Sequence, residues 1–168
     1  MDSLKKEIII VAIILIIFLF IVNQEPNEPK EFVNVKTVLN YSNVFFNYKI
    51  IRYPSSVEII QPQENVNLGI ATDPWNLNFG TIPGNGSYVS RYISVTNLKE
   101  KYNKIKLKPY GNITNLLNFS KSDFSLNENE SIAVGITLNT GSTEIGNYSG
   151  EIDVIIKVPK YDFLRVLT

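Results

Sequence analysis

The stretch NYSGEIDVIIKV, residues 147–158, puts Tyr148, Gly150, Ile152, Val154, Ile156 and Val158 on one side of an extended chain, and Ser149, Glu151, Asp153 and Lys157 on the other. Strand side chains point to opposite faces in turn, so this period of two means one dry face and one wet face. The pattern recurs. In SIAVGITL, Ile132, Val134, Ile136 and Leu138 oppose Ser131, Ala133, Gly135 and Thr137. In KIKLKP, Ile105 and Leu107 oppose Lys104, Lys106 and Lys108, and in YVSRYISVTN the expected core residues are Val89, Ile93 and Val95. One-faced strands belong to antiparallel sheets packed on one side, which predicts an all-β sandwich rather than a parallel α/β sheet.

Turn residues fall between these runs: Pro83-Gly84-Asn85-Gly86, Tyr110-Gly111-Asn112, Asn127-Glu128-Asn129 and Gly146-Asn147. The first reads as a type II turn at Pro83-Gly84, with a second bend at Asn85-Gly86. A phosphate cradle would need those glycines between a strand and a helix N-terminus, ideally with a following Lys-Ser/Thr, and neither is present. The knot is a corner.

The N-terminus has a different character. Ile8, Ile9, Ile10, Val11, Ala12, Ile13, Ile14, Leu15, Ile16, Ile17, Phe18, Leu19, Phe20, Ile21 and Val22 form an unbroken apolar run behind Lys5, Lys6 and Glu7. As a helix the run is about 22 Å long, against a hydrocarbon core of roughly 30 Å. Leu4 and the lysine stems lengthen it, giving an expected single-pass membrane anchor at residues 1–23. A cleaved signal peptide is the competing reading, but FIVNQEPNEP offers no small-x-small cleavage site. Both readings export the rest of the chain. The leading lysines place the N-terminus in the cytoplasm and the main domain outside the cell. Residues 24–31, with Pro26 and Pro29, read as a linker.

Residues 32–56 read as a neck segment, with two β-rich arms about Tyr41-Ser42-Asn43 that suit a hairpin. Residues 57–158 form the expected sandwich of some seven short strands, and 159–168 a C-terminal tail. Trp75 is expected between the two sheets.

From Asn78 onward, the order NFGTIPGNGSYVSRYISVTN, FSKSDFSLNENESIAVGITL, GNYSGEIDVIIKVP resembles immunoglobulin-like domains of the Hydin and abnormal-spindle type. Related modules occur in archaeal and bacterial surface proteins. The resemblance implies an immunoglobulin-like antiparallel β-sandwich at 57–158 serving adhesion, scaffolding or spacing, with no catalytic residues to carry over. The layout of anchor plus sandwich is also similar, in architecture alone, to accessory subunits of the archaeal flagellum that contact the surface layer.

Composition narrows the chemistry. The chain has no cysteine and no histidine, which removes disulfides, thiolate nucleophiles, imidazole bases and nearly all zinc or copper sites. Serine catalysis lacks its usual base. Sixteen basic and sixteen acidic residues give zero net charge, which argues against nucleic acid as a partner. The expectation is a non-enzyme without cofactor or metal. Its partners would be the lipid bilayer and another surface protein.

Three sets of residues remain as candidate sites. Asn40, Asn85, Asn112, Asn118, Asn129 and Asn147 begin Asn-x-Ser/Thr sequons, more than chance placement of the twenty asparagines would give, and most lie in expected turns. Lys104, Lys106 and Lys108, continuing a stripe from Lys99 and Lys101, form a basic strand face. That face either docks an acidic partner or pairs across the sheet with Glu151 and Asp153. Glu151 and Asp153 lie about 7 Å apart along one strand, suited in principle to paired-carboxylate hydrolysis or an oxygen-ligand cation. The alternation reads them as exposed, with no cleft. A secreted spacer or adhesion domain, and a glycan-binding receptor domain, stand as alternatives.

Overall fold

The computed structural model describes residues 2–22, 26–62, 76–98 and 101–167. The chain divides into two compact units, residues 1–30 and residues 31–166.

The first unit carries helix α1 (Asp2–Val22). Successive helical residues turn by about 100°, so four in a row sample the whole circumference. Ile8, Ile9, Ile10 and Val11 are all more than half exposed, and the same holds for Ile14, Leu15, Ile16 and Ile17. No polar face breaks the apolar surface of this run. Among the described residues no helix is long and apolar enough to cross a membrane, so the helix is found and the transmembrane part of the expectation is not met.

The second unit is built of strands: β1 (Thr37–Ser42), β2 (Phe46–Ile60), β3 (Leu77–Pro83), β4 (Tyr88–Thr96), β5 (Asn103–Gly111), β6 (Leu117–Phe119), β7 (Asp123–Leu126), β8 (Ser131–Asn139) and β9 (Gly146–Pro159). One sheet runs β1-β2-β9-β5-β7, and β3 joins β2. The other runs β4-β8-β6. Pairing is antiparallel except between β2 and β3. The two sheets share one core. Val57, Ile59, Leu77, Phe79, Ile105, Leu107, Ile152 and Val154 of the larger sheet meet Ile93, Val95, Val134, Ile136 and Leu138 of the smaller. Each of these fully buried side chains contributes roughly 1.5–3 kcal/mol by leaving water. The inward sets are those the alternation predicts in β4, β5, β8 and β9. The fold is a two-layer β-sandwich.

Several local expectations change. β1 and β2 form the hairpin expected about Tyr41-Ser42-Asn43, its turn held by Asn43 Oδ1, which accepts from the Phe45 and Phe46 amides at 2.9 and 2.7 Å. β2 then runs unbroken through the boundary expected at residue 57, pairing with β9 from Phe46 to Ile59. Residues 32–56 therefore supply part of the larger sheet. The corner at 83–86 is not a type II turn at Pro83-Gly84: the positive φ angles belong to Asn85 (65°) and Gly86 (84°), as in the turns that reverse hairpins. Gly146 opens β9, and the preceding turn lies at Gly141-Ser142. Trp75 and Lys99 lie outside the described residues, and with them the expected burial of that indole.

Candidate functional site

The outer face of the larger sheet holds the most unusual chemistry in the chain. Directly opposed residues of an antiparallel pair share a face. Asp153 is flanked by Arg52 of β2 on one side and Lys108 of β5 on the other, while Glu151 lies between Pro54 and Tyr110. Alternation assigns this face to solvent. The structure does not: Glu151 is 0% and Asp153 2% exposed. The reason is the segment after the linker, which lies over the sheet as a strap. The Val33 amide donates to Glu151 Oε2 at 3.0 Å. Phe32 sits where a side chain at Gly111 would reach. The expected exposed pair is thus corrected to a covered one, because a segment remote in sequence closes the wet side of β9.

Beneath the strap one cation faces two acids. Arg52 Nε lies 3.5 Å from Glu151 Oε1 and 3.4 Å from Asp153 Oδ2. Burial, acting with the charge of Glu151 and a hydrogen bond to it, pushes the Asp153 carboxyl up to about 7, while Arg52 pulls in the opposite direction. Cut off from water and beside a second carboxylate, Asp153 holds its proton more readily than an exposed aspartate. Such a pair can bind the strap and store a proton. Being sealed, it presents no atom to an outside substrate.

The basic stripe shares this face. Lys104 Nζ meets Asp123 Oδ1 of β7 at 2.6 Å, and Lys108 is the register partner of Asp153. Lys104, Lys106 and Lys108 are half-buried rather than free-standing. Across β9, Lys104 and Lys106 stand opposite Lys157 and Ile155, and the ion pairs of Glu151 and Asp153 are made with Arg52. All six sequon asparagines, Asn40, Asn85, Asn112, Asn118, Asn129 and Asn147, are exposed. By contrast Asn97 and Asn103, which begin no sequon, are buried at 2% and 5% exposure.

The smaller sheet presents a different outer face. Tyr88, Ser90, Tyr92, Ser94 and Thr96 of β4 lie beside Ser131, Ala133, Gly135, Thr137 and Asn139 of β8. Nothing in that set is charged. Its hydroxyls pair with each other, Ser90 with Thr137 and Thr96 with Ser131, both at 2.9 Å. Tyr92 lies against Gly135: a Cβ built on the glycine would stand 3.2 Å from the ring. An aromatic covering a strand glycine in this way compensates for the missing side chain.

Among the described residues, no group of three or more acidic side chains is placed to hold a metal ion. Arg52 and the strap are not visible as site components in the sequence. The one available signal is an arginine at a β-rich position, which alternation alone cannot pair with an acid a hundred residues away. The chain matches no protein-family model, no curated protein and no solved structure.

Proposed function

We propose that the chain is a membrane-attached immunoglobulin-like module, facing outward from a prokaryotic and specifically archaeal cell, with a structural or protein-binding role. The observation that carries this reading is α1, whose apolar side chains are exposed around its whole circumference. A helix without a polar face needs an apolar environment on every side, and lipid supplies one. Two facing sheets around a single core support the immunoglobulin-like assignment, and the exposure of every sequon asparagine supports an outward position with glycans attached. Contact with another surface protein would use strand faces or edges, with no catalytic step.

The experiment is fractionation of the native host, with mass analysis of the mature N-terminus and of the sequon peptides. The intact chain should stay with membranes through an alkaline carbonate wash, and protease added to whole cells should digest the β unit. A mature chain beginning near residue 24, or one released by the wash, would end the attachment reading and leave a secreted spacer.

A further inference from the structure

Strand β4 is an edge of the smaller sheet, paired with β8 along one side over all nine residues from Tyr88 to Thr96. Edge strands usually carry devices against further pairing, such as charges, proline, bulges or shortness. Two other edges have them: β6 has three residues, and β7 has four and carries the Lys104–Asp123 ion pair; β1, at the end of the larger sheet, is uncharged but has six residues against nine. β4 is long and regular and has no proline. Its one charge, Arg91, is turned toward β3, where Nε donates to the Asn78 carbonyl at 3.1 Å.

The sequence of this edge reads nearly the same in both directions. Around Tyr92, residues 89–95 run Val-Ser-Arg-Tyr-Ile-Ser-Val. A two-fold axis through Tyr92 of two antiparallel copies sets Val89 against Val95, Ser90 against Ser94, and Tyr92 against itself. A two-fold interface requires that if residue i meets j, then j meets i, and a palindromic strand meets that condition with like facing like. These are favourable cross-strand pairs: aliphatic with aliphatic, hydroxyl with hydroxyl, aromatic with aromatic. Only Arg91 facing Ile93 departs from the symmetry. The charge-free outer face adds no repulsion, and Tyr92, 73% exposed, lies at the centre.

We infer that β4 is a homodimerisation edge, joining the smaller sheets of two copies into one continuous six-stranded sheet about a two-fold axis at Tyr92. The partner is a second copy of this chain, because the complementarity is of the strand with itself. The inference stands apart from membrane attachment, since a secreted form would pair in the same way.

The absence of cysteine makes the register directly readable. In the full chain in detergent, Ser90→Cys and Ser94→Cys are prepared separately, oxidised alone, then oxidised as a mixture. Position 90 faces position 94 of the other copy, so the mixture should form disulfide-linked dimers. Either variant alone should not, because its two cysteines lie roughly four residues apart along the strands, about 13 Å, beyond the ~7 Å reach of a disulfide. Association driven by α1 would crosslink without regard to register. The doubly substituted S90K/S94K should lose the dimer, with its sedimenting mass halved. S90E/S94K should keep it, because the carboxylate introduced at position 90 then faces the ammonium introduced at position 94 of the other copy. Both positions are solvent-exposed, and circular dichroism checks that both variants remain folded. Equal crosslinking by single variants and mixture, equal masses for the two charge variants, or capture of a different polypeptide at β4 would overturn the inference.

Discussion

The two outer faces of the sandwich solve the same problem in opposite ways. Each sheet must close one side on the shared core and leave the other to its surroundings. The larger sheet mixes charged and buried apolar residues on its outer side and covers part of it, so that Arg52, Glu151 and Asp153 sit under a strap pinned at Val33. The smaller sheet carries hydroxyls, glycine and tyrosine that satisfy one another at the surface. Buried charge is costly to break and responds to pH, whereas a neutral wet face tolerates change. One face of this unit thus holds covered charge while the other stays neutral and exposed.

The contrast is broken most severely at Arg52. Arg52→Met takes the guanidinium away from two covered carboxyls and should cost about 3–5 kcal/mol, read as a lower urea midpoint for the full chain in detergent. Part of that loss should return below about pH 7, where the Asp153 carboxyl is neutral. An R52M chain as stable as the parent would mean that the charges under the strap are not coupled.

Glycine gives the next test, because an added methyl group meets fixed backbone on the core side of the larger sheet and a movable ring on the outer face of the smaller one. At Gly150, where β5 closes in, an added Cβ would run into the Tyr110 carbonyl, a backbone atom that cannot turn aside. Gly150→Ala should therefore cost about 2–3 kcal/mol through backbone displacement. On the neutral face, the Cβ of Gly135→Ala would meet chiefly the exposed Tyr92 ring, which can rotate away. That change should stay within about 0.5 kcal/mol. Thermal unfolding of the two variants side by side measures the gap, and equal losses would mean that the close approach of β5 to β9 does not constrain Gly150.

The pH response comes from Asp153. Its carboxyl titrates at about 7 in the fold against an ordinary 3.8, so between those values the folded chain binds the extra proton. Stability therefore falls as pH rises from about 4 to about 7 and is level above, by proton linkage. Asp153→Asn removes the titration and should flatten that slope, measured as urea midpoints across the same pH range. The smallest expected effect is Ser90→Ala, which deletes one exposed hydroxyl pair and should move the stability by no more than about 0.5 kcal/mol.

Which features are legible in the sequence depends on their range. Alternation locates the core faces of β4, β5, β8 and β9, because a strand's period is local and its buried side is apolar. It misplaces Glu151 and Asp153 for the same reason: whether a wet face stays wet depends on residues 31–36, more than a hundred positions away. The type II reading at Pro83-Gly84 fails because Asn, like glycine, can take up a positive φ, so the bend between the two sheets falls at Asn85-Gly86. The near-palindrome at 89–95 is plain in the sequence, yet it has meaning only once β4 is known to be an edge.

The strap also decides the order in which a tugged molecule would yield. A pull entering at Glu31 meets the clasp between the Val33 amide and Glu151 before it reaches β1. Tension is then handed straight to β9, the strand that bonds to both β2 and β5 in the middle of the larger sheet. The incoming segment is thereby fastened to the molecule's keel, and its rim is spared from being peeled away first.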